Sequence, residues 1–272
     1  MLIALLAAVF VASAAAPGVH RSDSARCSPS EHATVAEPPS ASRRLPFALG
    51  ERLQYAVSFG RLHVGSGEMR LIGADTVRGR SAWHARFALS GGFAMFSVHD
   101  TSASWFDSVT FNTLQFVQAV HEPRYQAHRS TQIYPDRETF QQSGDPELPS
   151  VSDPMDDVSL MYFVRTLSLE PGQCYVLRRY YQPAGDPLVL HVVRRERIHV
   201  PAGTFDAIVV HPEITTGGIF SQRGRAELWL SDDSARVMLQ LKSQLPFGSI
   251  SLFLTHAVRS LPDGPPNGAV IR

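Results

Sequence analysis

The sequence predicts a mainly β protein: a single large curved antiparallel sheet, or an incompletely closed β-barrel, of about 11–13 strands covered by one helix. Three observations carry that expectation. Apolar and polar residues alternate along most of the chain, the two-residue period of a strand with one buried face. The connections between alternating runs are short, which forces antiparallel neighbours, because parallel pairing needs a long crossover. Only the segment near 153–168 leaves the alternation for a near-helical spacing.

Taken in order, Met1 to Ala16 is an apolar run closed by small residues. That is the h-region and A-x-A site of a secretory signal peptide. It is too short to span a bilayer, which takes about 20 apolar residues. Ala12-Ser13-Ala14 is the preferred cleavage signal, since a cut after Ala16 would set Pro17 beside the bond, so residues 1–14 are assigned to the signal peptide. No Lys or Arg precedes the run, and no Cys follows it directly as a lipoprotein anchor would require. Residues 15–46 hold Pro, Ser, Ala, Arg and Glu with few large apolar side chains and read as a disordered linker. Residues 47–261 read as a single β-rich domain and 262–272 as a flexible tail.

Within the domain, Leu53, Tyr55, Val57 and Phe59 share one strand face. Leu62 and Val64 fall out of phase with Met69 and Leu71, and a β-bulge at Gly65-Ser66-Gly67 repairs the phase. "AWHARFAL" sets Trp83, Ala85, Phe87 and Leu89 together, and another strand region spans Phe93 to Phe106. "TLQFVQAV" and "RSTQIYP" form a meander pair. The helix is predicted to start with Asp153 as N-cap and Pro154 at the first helical position. Met155, Val158, Tyr162 and Leu167 recur at near-helical spacing, and Pro171-Gly172 closes the segment. Its predicted task is to cover the open sheet face or plug a barrel mouth. "RIHVPAGTFDAIVVHPEI" reads as a hairpin about Pro201-Ala202-Gly203, and Ile208-Val209-Val210 requires cover on both faces, for which the helix is the natural candidate.

Lys plus Arg and Asp plus Glu both number 25, which argues against a nucleic-acid binder. The acidic stretch Asp136–Asp157 and the Arg-rich stretch Arg178–Arg197 read as a solvated loop and a solvated strand face. Cys27 and Cys174 are the only cysteines. An exported chain can join them, although Cys27 stands in the linker. Two thiolates are too few for a zinc site. No nucleophile elbow, H-E-x-x-H, P-loop or dinucleotide fingerprint occurs. His191 and His199 share a face but stand about 26 Å apart at 3.3 Å per residue, too far for one metal. Asp232-Asp233-Ser234 reads as turn chemistry. Neither a cofactor nor a metal is expected, and the chain is read as no enzyme.

"GERLQYAVSFGRLHVGSGEM", "DDVSLMYFVR" and the stretch from Arg195 to Leu254 together resemble the DUF3108 family of bacterial exported proteins of unknown function. The likeness covers Leu45 to about Val258. It implies export to the bacterial envelope and an antiparallel β fold, similar in kind to the lipoprotein-carrier-like open β-barrels; it implies no activity, and the expected location is the periplasm of a Gram-negative-type bacterium.

Two functions fit. The first is an envelope protein that binds a hydrophobic or lipid-like ligand in its curved sheet, with Phe93, Phe96, Trp105, Phe220 and Trp229 as lining residues. The second is an envelope protein that docks a protein partner through edge strands or the Arg-rich face at Arg194-Arg195. Neither involves nucleic acid or a transmembrane span in the mature chain.

Overall fold

Leu53, Tyr55 and Val57 are buried on one face of β2 (Arg52–Phe59), and the residues between them are not. The same alternation builds the rest of the wall. The computed structural model describes residues 33–34, 45–93, 96–122, 125–213, 225–245, 248–259 and 269–270. Among them lie sixteen strands and one α-helix: β1 (Ala33–Thr34), β2, β3 (Leu62–Val77), β4 (Arg80–Phe93), β5 (Phe96–Asp107), β6 (Thr113–Glu122), β7 (Tyr125–Tyr134), β8 (Thr139–Gln142), β9 (Leu148–Pro149), α1 (Asp157–Val164), β10 (Cys174–Leu177), β11 (Leu188–Val200), β12 (Gly203–Glu213), β13 (Arg225–Ser231), β14 (Met238–Leu245), β15 (Gly248–Arg259) and β16 (Ala269–Val270). Three of the sixteen, β1, β9 and β16, are two-residue pieces, which leaves thirteen longer strands.

All belong to one sheet, in the order β1-β10-β11-β12-β13-β14-β15-β2-β3-β4-β5-β6-β7-β8-β9, with β16 beside β15. The pairing of named strands is antiparallel except between β1 and β10. Two residues of the segment read as linker and two of the segment read as tail therefore join the sheet. Cys174, at the start of β10, is disulfide-bonded. The other cysteine, Cys27, lies outside the described residues.

The ladder does not close on itself. The extended segment before α1 bridges part of the gap instead. Thr113 N–H donates to the Pro154 carbonyl at 2.6 Å, Met155 N–H to the Arg179 carbonyl at 2.5 Å and Tyr181 N–H to the Met155 carbonyl at 3.0 Å. This use of Asp153–Met155 explains why the helix is shorter than the predicted 153–168. It starts three residues later, with Asp156 as N-cap and Pro154 outside it. Asp156 Oδ1 accepts from the Val158 and Ser159 N–H groups at 2.7 and 3.1 Å, and Ser159 Oγ accepts from the Asp156 N–H at 3.0 Å. Val158, Ser159, Leu160, Tyr162, Phe163 and Val164 are all buried, so α1 is surrounded rather than laid on a surface. It packs mainly against β5 and β4. Tyr162 meets Phe106 and Phe47 at ring-centroid separations of 5.8 and 4.9 Å, and Phe163 meets Phe111 at 5.8 Å.

Ile208, Val209 and Val210 are fully buried, as the sequence requires, but the principal partners of α1 are not on β12. The turn at Pro201-Ala202 reaches across instead, where Ala202 N–H donates to the Leu254 carbonyl of β15 at 2.9 Å.

The phase break in β3 is real. The register shifts between Val57 and Ser58, which face Gly65 and His63, so the extra residue is Val64, one place before the glycines. The glycines answer to a different constraint. Gly65 pairs with Gly91, and a Cβ on Gly91 would sit 2.3 Å from the Val64 carbonyl oxygen and 2.8 Å from Gly65 Cα. β3 and β4 are folded toward each other on this face, and only bare backbone fits the crease. Gly91→Ala is expected to lower unfolding free energy by about 2–3 kcal/mol, because the obstacle is backbone and cannot swing aside. Urea denaturation measures it, and a loss below about 0.5 kcal/mol would remove the crease from the account.

Candidate functional site

The sheet face that carries α1 is not covered evenly. Along β2 the side chains on that face are 0% exposed at Leu53, 1% at Tyr55, 7% at Val57 and 39% at Phe59. The exposure rises from the helix toward the tip of the β2–β3 hairpin. Leu62, which pairs with Phe59, is 45% exposed. Ile250 pairs with Phe59 from the β15 side, and the Phe59 ring lies over Gly248. On the β4 side the same face carries the bare pair Gly65–Gly91, then Val98 on β5. The described ends of the β14–β15, β2–β3 and β4–β5 ladders thus form an apolar rim with Phe59, Leu62, Ile250 and Val98, and glycine backbone behind it.

One charged group lies just below the rim. Asp100 on β5 pairs with Leu89, one step deeper than the Gly91–Val98 pair. It is buried beside Leu89 on β4 and Val120 on β6. Oδ1 accepts from the His121 backbone N–H at 3.2 Å, whereas Oδ2 has no hydrogen-bond partner among the described residues. Burial pushes the carboxyl pKa upward. The imidazole of His99 points to the other face, where Nδ1 meets Ser90 Oγ at 2.8 Å.

The helix end holds buried polar groups that do have partners. Arg165 makes two bonds to Glu51, 2.6 and 2.8 Å, and one to the Ala235 carbonyl at 3.0 Å. Asp156 Oδ2 accepts from Thr113 Oγ1 at 2.8 Å and from Ser104 Oγ. A polar hollow of about 400 Å³ beside Arg165 is lined in part by Thr166, Asp232, Asp233 and Arg236. Asp233 Oδ1 is engaged there by Ser231 Oγ and the Ala235 and Arg236 N–H groups, the predicted turn chemistry. Among the described residues no group of three or more His, Cys, Asp or Glu side chains is placed to hold a metal, and no helix is long and apolar enough to cross a membrane.

The five aromatics singled out in the sequence fall in different places. Phe93 and Phe96 pair with each other at the last position of the β4–β5 ladder, at the rim, though their side chains are outside the described residues. Phe220 also lies outside them. Trp105 points away from the rim face, stacks on His84 at 4.1 Å and donates from Nε1 to Asp75 Oδ2 at 2.9 Å. Trp229 pairs with Val209, on the face opposite Leu228 and Leu230, and donates from Nε1 to Glu196 Oε1 at 2.6 Å. These two tryptophans are therefore not on the rim face. Phe59, Leu62 and Asp100 hold that place. Phe59 was findable as the last member of the Leu53-Tyr55-Val57 row; Asp100 carries no sequence signal of its own.

The Arg-rich face is internally matched. Arg194 bonds Glu196 and Glu227 at 3.0 Å, and Arg195 bonds Glu170 at 3.0 Å and Asp232 at 2.8 Å. Little unpaired charge is left there for a partner.

A family model described as a protein of unknown function, DUF3108, matches residues 54–255. No curated protein matches. Among solved structures, a β-barrel-like protein of the DUF1849 domain of unknown function from Brucella abortus is similar with a TM-score of 0.53 at 8% identity, covering 79% of this chain and 99% of that one. A protein with a YmcC-like fold from Bacteroides fragilis is similar over 78% of this chain and 97% of its own at 10% identity, with a TM-score of 0.31. The first likeness supports the barrel-like architecture; the second carries no argument.

Proposed function

The chain belongs to the DUF3108 family of unknown function, and we propose that it is a non-catalytic, exported envelope protein that holds a hydrophobic or lipid-like ligand on the inner face of its open sheet. The observation that carries the reading is the exposure gradient on β2, from 0% at Leu53 to 39% at Phe59. A closed core would bury the whole row. Here α1 fills one end and leaves apolar side chains, Phe59 and Leu62, facing outward at the other. The signal-like residues 1–14 support export, and the periplasm of a Gram-negative-type cell is the compartment that belongs to this proposal.

The reading is tested with delipidated protein and N-phenyl-1-naphthylamine, which fluoresces in apolar surroundings. Saturable binding is expected. Leu62→Glu should weaken it about tenfold, or 1.4 kcal/mol, by setting a charge at the rim without disturbing the packed end. Absence of saturable binding, or binding indifferent to Leu62→Glu, would overturn the assignment.

A further inference from the structure

We propose that the tip of the β2–β3 hairpin docks on the surface of an anionic phospholipid bilayer, with Phe59 and Leu62 entering the interface and Arg61 among the headgroups. The inference goes beyond ligand binding and does not require it. Phe59, Gly60, Arg61, Leu62 and His63 are five consecutive exposed residues. Two of them are large apolar side chains, Phe59 at 39% and Leu62 at 45% exposure. They are cross-strand partners, so both lie on one face of the hairpin. Gly60 turns the chain at φ 58°, and nothing lies within 4 Å of its Cβ position, so the sheet does not crowd the tip.

Charge selects the occupant. Arg52 and Arg86, deeper on β2 and β4, are answered by Glu68. Between Glu51 and Glu68 the chain holds no Asp or Glu, and Arg61 stands in the middle of that stretch. The strands on either side continue the pattern: residues 245–250, where β14 gives way to β15, and residues 90–99, where β4 gives way to β5, contain no Asp or Glu either. A guanidinium among exposed apolar side chains, in a stretch free of acids, matches a surface that is negative outside and apolar beneath. One arginine near such a surface contributes about fivefold in affinity. The contact is therefore weak and reversible, and it would set the exposed end of the apolar row against the bilayer.

The test uses the full chain with vesicles of phosphatidylglycerol or of phosphatidylcholine, each brominated in the acyl chains. Leu62→Trp places a fluorescent reporter at the tip. With phosphatidylglycerol its emission is expected to be quenched beyond the loss seen in the wild type, and with phosphatidylcholine less so. Arg61→Glu in the same background removes one positive charge and adds a negative one, and should weaken the interaction about tenfold or more. Added salt should weaken it as well. Both positions are exposed, and residues 1–14 are common to all these proteins, so the differences report the tip. Quenching of Leu62→Trp no greater than in the wild type, or indifferent to Arg61→Glu, overturns the proposal and leaves the tip to a protein partner. Binding of N-phenyl-1-naphthylamine by the wild type without vesicles is read separately. Its absence overturns the ligand reading and leaves the docking standing.

Discussion

Glu51→Ala is expected to destabilise the protein by about 3–5 kcal/mol, the largest single-residue effect the structure supports. Glu51 and Arg165 are separated by 114 positions in the chain and meet with side chains that are each 1% exposed. Burial opposes the Arg165 charge, the Glu51 carboxylate more than offsets it, and the guanidinium pKa stands above its ordinary value. Its Nε already lacks a hydrogen-bond partner among the described residues. Removing Glu51 would leave a full positive charge between the Phe47 and Tyr162 rings with only carbonyls to answer it. The control is Glu68→Ala, which breaks ion pairs with Arg52 and Arg86, whose side chains are 47% and 44% exposed, and should cost less than about 1 kcal/mol. Urea midpoints of the two variants measure the contrast. A Glu51→Ala loss as small as the control would show that water reaches Arg165 and that this end is not sealed.

Asp156 should make stability fall as pH rises between about 4 and 6. Burial pushes its pKa up to about 6, against the opposing hydrogen bonds from Ser104, Thr113, Ser159 and Val158. The folded state then binds a proton that the unfolded chain releases near pH 4, so unfolding is linked to proton loss throughout that window. The folded state is favoured by this group below pH 4, loses that advantage up to pH 6 and changes no further above it. A shift of about two units corresponds to roughly 3 kcal/mol at most. Asp156→Asn can still cap α1 and should flatten the slope. Asp156→Ala should flatten the slope as well and lie about 3 kcal/mol below Asp156→Asn at every pH, from a lost cap and two stranded hydroxyls, Ser104 and Thr113. Denaturation in urea at pH 4, 5, 6 and 7 separates the three proteins. A wild-type slope identical to that of Asp156→Asn would remove the proton from the account.

Much of the wall is legible in the alternation itself. Leu53, Tyr55 and Val57 are buried where their period places them, and the slip between Val64 and Met69 marks a bulge within one residue of its position. Parity within a strand also separates Trp105 from Phe106, and Trp229 from Leu228 and Leu230, which local hydrophobicity alone merges. The start of α1 is harder to see because Asp153-Pro154 and Asp156-x-x-Ser159 both offer a beginning. A hydrogen bond from distant Thr113 to Pro154 decides between them. The polar groups that matter most are least visible. Glu51 owes its character to Arg165, 114 positions along the chain, and Asp100 to the adjoining strands β4 and β6, neither of which a local period encodes.

The pairing of β15 with β2 has a consequence for how the chain can be assembled and cut. It falls at the centre of the sheet order, yet it joins Arg52–Phe59 to Gly248–Arg259. A polypeptide emerging amino end first holds one edge of β2 unstitched until β15, which begins only at Gly248, has appeared. Bare strand margins recruit other chains, so the interval before that final stitch is when aggregation threatens. Clipping off β15 would not trim a border; it would split the fabric down the middle.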